Sequence, residues 1–157
     1  MRVENNIVYR VVPDTELYAI GQCILPSQQD YCGEHKERVE KALQDSKPIQ
    51  YPSRKDCLFV CFSKENANEW ALLKWRANKK YKLLTLSVTG EIFWFMAEHY
   101  NRCPSSCSDE MLSEAANKYW NSCKNNNNSL TIDHEYEGIF VGRAEIIDIE
   151  IMMSYCM

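Results

Sequence analysis

The segment Ile139–Ile151 constrains the fold most, because apolar and charged side chains alternate along its second half. Isoleucines at every second position would face one side of an extended chain, with Asp148 and Glu150 on the other side. A strand of this kind is stable only in a sheet that covers its apolar face. Gly142 interrupts the pattern, and we expect a break or a bend there. The C-terminal part of the chain therefore predicts a half-buried strand of a sheet.

Other parts of the chain predict further strands and helices. The apolar residues after Ser63 and after Ser108 recur at helical spacing, and each serine is a favourable first cap of a helix. The segment Glu91–Tyr100 fits a short helix or a strand, and Thr89-Gly90 before it predicts a turn. A further helix is expected in Glu34–Gln44, and strands in Ile7–Val12, Leu17–Leu25, Cys57–Phe62 and Lys82–Val88.

These elements predict an α+β fold, and 157 residues correspond to one domain, 1–157. The formal charge of −4 disfavours non-specific coating of nucleic acid, which needs many Lys and Arg contacts to phosphate. The N-terminal residues do not resemble a signal peptide, and the apolar run Glu91–Ala97 is too short to span a bilayer. We therefore expect a cytoplasmic protein without membrane contact. Cys103 and Cys107 are a weak zinc motif, so no metal is expected.

Three short motifs stand out as candidates for chemistry. The pair Tyr9-Arg10 places an arginine inside the first strand, and Phe62-Ser63 closes one strand and opens a helix. Glu135 and Glu137 precede the final strand and would project to the same side of an extended chain. Each motif also has a simpler interpretation: a surface arginine, a helix cap, and two solvated acids.

Taken together, the motifs resemble the ADP-ribosyltransferase superfamily in its Arg–Ser–Glu branch. The segment LFVCFSKENANEWA is similar to the family's aromatic-Ser strand and helix, and EYEGIFVGRAEIIDI is similar to its Glu-x-Glu strand. The usual Ser-Thr-Ser is reduced here to Ser63 followed by Lys64. The resemblance implies a split β-sandwich with flanking helices. It also implies an enzyme that cleaves the nicotinamide–ribose bond of NAD and transfers ADP-ribose without a metal.

The resemblance also implies roles for individual residues. Arg10, beside Tyr9, would grip the pyrophosphate of NAD, since a guanidinium binds phosphate oxygens as a fork. Glu137 would stabilise the positive charge that develops on the ribose, and Glu135 would help to deprotonate or orient the acceptor. Ser63 would orient the catalytic glutamate. Two further residues are expected to line the NAD site, Phe62 and Arg54.

The acceptor stays open between a protein side chain and a nucleic acid. Glu135 and Glu137 favour an arginine side chain, whereas the basic and aromatic residues in Lys74–Lys82 suit single-stranded nucleic acid. The polar loop Lys124–His134 would touch the acceptor, and His134 lies beside the glutamate pair. Small relatives are toxins or effectors, so an antitoxin or chaperone is a possible partner. The alternatives are an NAD glycohydrolase, an NAD-dependent RNA 2′-phosphotransferase, and a catalytically inactive binding module.

Overall fold

A computed structural model describes residues 1–26, 34–125 and 127–156. Within these ranges the chain forms four helices: α1 (Glu34–Asp45), α2 (Lys64–Trp75), the short α3 (Glu98–Asn101) and α4 (Asp109–Asn121). The same residues contain 3-10 turns at Arg54–Asp56 and Asn127–Ser129. The strands in the described residues are β1 (Arg2–Pro13), β2 (Cys23–Ile24), β3 (Leu58–Val60), β4 (Lys80–Met96) and β5 (Tyr136–Met153).

The strands form one antiparallel sheet that curls on itself. The long strand β4 lies between β1 and β5, and the other edge of β5 is shared by β3 and β2. Tyr9 and Cys61 exchange two backbone hydrogen bonds of 2.9 and 2.6 Å, which join β1 to the end of β3. The sheet therefore has an enclosed side, called here the inner face, with the buried residues Val8, Val12, Leu84, Trp94, Tyr136 and Phe140.

The helices cover the opposite side of the sheet, called here the outer face. Helices α1 and α4 pack together over Phe95 and Ile139, while α2 packs through Ala67 and Ala71 against β1 and β4. The caps are those expected: the Ser63 Oγ accepts a 3.0 Å hydrogen bond from the Asn66 amide, and Ser108 caps α4 in the same way. The architecture is thus mixed α+β, as the sequence predicts.

Strand β5 confirms the predicted C-terminal strand and is longer than expected. Its pairing with β4 runs through Gly142, so the expected break does not occur there. The register shifts instead where Leu86 pairs with Ile146 and Thr85 pairs with Asp148, which leaves Ile147 as the extra residue of a bulge. Before this point even-numbered residues of β5 face inward, and after it odd-numbered residues do.

The turn expected at Thr89-Gly90 is wrong, because β4 continues through both residues. Gly90 pairs directly with Gly142, and both have positive φ values, 152° and 144°. A Cβ on either glycine would meet a backbone carbonyl oxygen of the partner strand. The two glycines therefore mark a close approach of paired strands. Thr89-Gly90 has a composition typical of turns. Gly90 nevertheless lies within a strand, because it pairs with Gly142, which is distant in the sequence.

Two other expectations need correction. Of Leu17–Leu25, only Cys23 and Ile24 lie in a strand, and Leu17 is 90% exposed. The polar segment Lys124–His134 is a loop, as expected, apart from the 3-10 turn within it; Asn126 lies outside the described residues. No helix in the described part of the chain is long and apolar enough to cross a membrane.

Candidate functional site

The sheet register brings the three sequence motifs to one place. The antiparallel Tyr9–Cys61 bridge sets Arg10 opposite Val60, two residues before Phe62, and Val60 pairs with Gly138, the residue after Glu137. Residues about 50 and 75 positions apart thus become neighbours through two strand pairings. This convergence depends on the curl of the sheet.

The motif residues nevertheless divide between the two faces. Arg10 lies between Val8 and Val12, both of which belong to the inner cluster, and Phe62 and Tyr136 pack there too. Glu137 alternates with Tyr136 and projects to the outer face, where its neighbour Ile139 is buried under the helices. The ring of Tyr9 packs on the outer face, opposite to Arg10.

Arg10 is a half-buried arginine that forms no ion pair with a carboxylate in the described part of the chain. Its Nη1 donates a 2.9 Å hydrogen bond to the carbonyl of Phe59, and its Nε is buried with no acceptor in the described residues. Burial lowers the pKa of Arg10, and the nearby Tyr18, Cys61 and Glu16 oppose this shift. The carboxylate of Glu16 is itself occupied by the hydroxyl of Tyr18 at 2.7 Å. An arginine stays protonated in proteins, so Arg10 presents a positive charge with unused donor capacity.

Aromatic rings line the inner face next to Arg10. Phe62 contacts Trp94 and Tyr136 edge to face, with ring centroids 6.1 and 6.3 Å apart. His134 continues this row, since its ring lies 6.0 Å from that of Tyr136. The indole Nε1 of Trp94 is a second buried donor without a partner among the described residues. The face thus combines buried aromatic rings with two buried donors that have no partner in the described part of the chain.

Glu137 lies in a buried network on the outer face. Its Oε1 accepts hydrogen bonds from Arg54 and from the hydroxyl of Tyr119, the latter at 2.6 Å, and its Oε2 accepts one of 2.8 Å from Tyr100. Glu137 is 5% exposed. Burial, together with the neighbouring carboxylate of Glu137, raises the pKa of both tyrosines well above the ordinary value. Both tyrosines therefore remain hydrogen-bond donors.

Arg54 neutralises two carboxylates in this network. Its Nε and Nη2 form a bidentate pair with Glu40 at 3.0 and 2.9 Å, while Nη1 bonds Glu137 and the Tyr119 hydroxyl. The guanidinium carbon also lies 4.7 Å from the ring centroid of Phe59. Burial by itself would lower the pKa of Arg54. The nearby Glu137, Tyr119, Tyr100 and Glu40 outweigh burial and raise this pKa. Arg54, expected to contact NAD, ties α1, α3 and α4 to β5 in this structure.

The remaining predicted residues have local partners. Ser63 uses its hydroxyl as the cap of α2, and no hydrogen bond joins it to Glu137 in the described residues. The backbone amide of Phe62 donates to the Asn66 side chain at 3.2 Å. Glu135 is half-buried and accepts a 2.7 Å hydrogen bond from the side chain of Asn101. Glu135 and Glu137 therefore both face α3, as their spacing predicts.

Two carboxylates, those of Glu98 and Glu69, were not predicted from the sequence. Glu98, 5% exposed, binds the Nδ1 of His134 at 2.6 Å and the guanidinium of Arg102 at 2.7 Å. Glu69 has an Oε2 atom without a partner in the described residues, and burial raises the pKa of this carboxyl to about 7. Only the four-residue spacing of Glu98 and Arg102 is visible in the sequence. The Glu98–His134 contact depends on the tertiary structure.

Neither a metal site nor a large groove marks the motif residues. In the described ranges no three His, Cys, Asp or Glu side chains are grouped in a way that could hold a metal ion. A groove of about 560 Å³ runs beside Tyr51, Phe93 and the paired glycines, and none of the motif residues lines it. The motif region is distinguished instead by two buried donors that lack partners among the described residues.

Residues 28–152 match a protein family, and the chain belongs to it: DUF2441, described as "Protein of unknown function". No curated protein matches the sequence significantly. The matched residues include α1, the Arg54 network and β5, whereas β1 with Tyr9-Arg10 precedes them. The family description names no activity, so any function for this chain has to be argued from its residues.

Proposed function

We propose that this member of the DUF2441 family binds NAD on the inner face of its sheet and transfers ADP-ribose to a macromolecular acceptor. The observation that carries the proposal is Arg10, an arginine without an ion-pair partner in the described residues, at the point where the three motifs meet. The proposal includes the finer fold assignment, an ADP-ribosyltransferase-like split β-sandwich in a single domain.

The chemistry of Arg10 suits the pyrophosphate of NAD. A buried guanidinium without a counter-ion is costly, and an anion that fills its donors offsets that cost. Arg54 differs in this respect, because two carboxylates already bind its guanidinium. Of the two arginines assigned to NAD from the sequence, Arg10 is therefore the one that supports the proposal.

The ring of Phe62 suits the planar parts of a dinucleotide. Phe62 is partly exposed, and ring stacking on a base or on nicotinamide contributes about 1–3 kcal/mol in comparable sites. Phe62 is held by its packing and by the amide contact to Asn66, so it needs little ordering when a ligand binds. The resemblance assigns Phe62 and Tyr9 to the NAD site, and the inner face contains the ring of Phe62.

A second candidate is a binding module that holds NAD or a similar nucleotide without cleaving it. The observation that favours it is Glu137, the residue that the resemblance makes catalytic. Both of its carboxylate oxygens are occupied, and it projects away from Arg10. A ribose could use this carboxylate only if the Arg54 network opened.

Calorimetric titration with NAD and measurement of nicotinamide release together test the proposal. Arg10→Met should weaken NAD binding about 30-fold, from the loss of roughly 2 kcal/mol of charge-assisted hydrogen bonding. Arg143→Met, which alters an exposed arginine of β5, is the matched control and should bind like the wild type. Wild-type binding with nicotinamide release supports the enzyme, and binding without release supports the module. Absence of binding would refute both.

The acceptor is assigned by incubating the protein and labelled NAD with a cell lysate. The proposal predicts label on a macromolecule, and the sensitivity of that label to protease or nuclease distinguishes a protein acceptor from a nucleic acid. Free ADP-ribose without labelled macromolecules would instead indicate an NAD glycohydrolase. A toxin or effector role would add an antitoxin or chaperone as a partner, detectable by co-purification.

A further inference from the structure

The Arg54 network holds Glu137 on the outer face, so Glu137 cannot act as a base on the inner face. Another residue fits that role. We propose that His134, oriented by Glu98, is the general base that removes the proton from the acceptor nucleophile. This assignment rests on the proposed transfer of ADP-ribose. It names a pair of residues that the sequence motifs do not contain.

The contact between Glu98 and His134 fixes the tautomer of the imidazole. The Oε1 atom of Glu98 lies 2.6 Å from Nδ1, so the proton of the neutral ring stays on Nδ1. The lone pair is then on Nε2, which makes no hydrogen bond within the described residues. The His134 side chain is 46% exposed, so a substrate can reach it from solvent. A carboxylate that orients a histidine in this way is the arrangement found in hydrolytic triads.

Glu98 is itself held firmly. It is 5% exposed, and its second oxygen binds Arg102 at 2.7 Å. Arg102 therefore neutralises the charge of Glu98, and the two carboxylate oxygens of Glu98 have defined partners, His134 and Arg102. A carboxylate fixed in this way can orient a histidine and stabilise the imidazolium that forms after proton transfer.

Two hydrogen bonds hold α3 against the segment that contains His134. The amide of Ala97 donates to the carbonyl of Glu135 at 2.7 Å, and the side chain of Asn101 donates to the Glu135 carboxylate at 2.7 Å. These contacts flank Glu98 on both sides in the sequence. They fix the distance between Glu98 and His134 without occupying either side chain.

His134 lies on the same side of the sheet as the proposed NAD site. Its ring packs on Tyr136, which packs on Phe62, and both of these residues belong to the inner face with Arg10. Glu137 projects to the opposite face and is saturated. Of these two candidate bases, His134 is the exposed one and the one beside the aromatic row.

The proposed step is balanced in atoms and electrons. The bond between ribose C1′ and the nicotinamide nitrogen breaks, and its electron pair leaves with nicotinamide, which becomes neutral. A bond forms between C1′ and the oxygen or nitrogen of the acceptor, and the acceptor's proton passes to Nε2 of His134. The imidazolium then returns this proton to water. With water as the acceptor, the same step releases free ADP-ribose.

The experiment compares the wild type with His134→Asn in nicotinamide release from NAD. The asparagine amide can donate to Glu98 as Nδ1 does, but it cannot accept a proton. General bases contribute about 10²–10⁴-fold, so kcat should fall at least about 100-fold, with KM for NAD within about twofold of the wild type. His99→Asn is the matched control, since no hydrogen bond joins the side chain of His99 to Glu98 in the described residues, and should keep wild-type kcat.

Two further variants separate a base from a structural role. Imidazole added to His134→Ala should restore kcat, and Glu98→Gln should lower kcat more than it changes KM. A His134→Asn variant with kcat within about threefold of the wild type would overturn the assignment while leaving the proposed function intact. Absence of nicotinamide release by the wild type would overturn both the transferase and this base. Calorimetry would then still report whether NAD binds through Arg10.

Discussion

Replacing Arg54 by methionine tests whether the Arg54 network is a structural anchor. Methionine has a similar length and no charge, so the variant leaves Glu137 and Glu40 without their cation. The side chains of these acids are only 7% and 18% exposed. Removal of one partner of a buried ion pair costs about 3–5 kcal/mol, and we expect a loss in this range at pH 7. Glu137→Gln should cost less, because Arg54 keeps its bidentate pair with Glu40.

The pH dependence gives the sharper test. In Arg54→Met the folded protein holds carboxylates without a cation, which raises their pKa above the unfolded value of about 4.3. The destabilisation is then small below about pH 4, grows as the pH rises from the unfolded pKa towards the raised folded pKa, and is constant above it. We therefore expect the variant to approach the wild type in stability as the pH falls from 7 to 4.5. Urea denaturation followed by circular dichroism at several pH values measures this difference.

The control for this experiment is Lys41→Met. Lys41 pairs with Asp45 on the surface of α1, with side chains 77% and 62% exposed, and such surface pairs contribute little to stability. Lys41→Met should therefore resemble the wild type at every pH. The anchor role would be refuted if Arg54→Met lost less than about 1 kcal/mol at pH 7, or lost the same amount at every pH. The result also decides how Glu137→Gln is interpreted, since a loss of activity there has meaning only if the variant is still folded.

Two further predictions concern helix α2. Burial raises the pKa of Glu69 to about 7, so its ionisation destabilises the fold by an amount that is absent below about pH 4.5 and complete above pH 7. Glu69→Gln should therefore raise the free energy of unfolding by about 1 kcal/mol at pH 8 and leave it unchanged at pH 4.5, as measured by thermal melts. This value is reduced for the water around the half-buried group. The control Glu65→Gln should leave the stability unchanged at both pH values. Ser63→Ala should cost about 1 kcal/mol by loss of the cap, as should Ser108→Ala on α4, measured by urea denaturation. If Ser63 only caps the helix, the variant should bind NAD as tightly as the wild type; weaker binding would give Ser63 the role that the resemblance implies.

The sequence predicts local structure well where the signal is local. The serine caps of α2 and α4 and the C-terminal strand depend on neighbouring residues, and the structure confirms them, although the bulge at Ile147 interrupts the predicted alternation and Ile151 is exposed. The paired glycines show the opposite case. Gly90 is next to a threonine, a composition typical of turns, but it lies inside β4 because Gly142 is opposite to it. No pattern within ten residues of Gly90 contains that information.

The candidate site is predictable only in part for the same reason. Sequence motifs selected Arg10, Phe62 and Glu137, and the sheet places them close together. The motifs could not show that strand alternation sends Glu137 and Arg10 to opposite faces. Glu98 was missed because it follows an apolar strand, and its partner His134 is 36 residues away.

The two arginines show how the partner of a charged side chain decides its role. Arg10 and Arg54 have the same chemistry, and the sequence assigned both to NAD. Arg54 lies between two carboxylates, and its loss should appear in stability. Arg10 has one carbonyl acceptor, and its Nε has no acceptor among the described residues, so filling its donors with an external anion would lower the free energy of the bound state. The change in NAD affinity, compared with the change in the free energy of unfolding, therefore decides which role Arg10 has. Arg10→Met should change NAD affinity far more than the free energy of unfolding, and a variant that lost stability without losing affinity would place Arg10 with Arg54 as a structural residue.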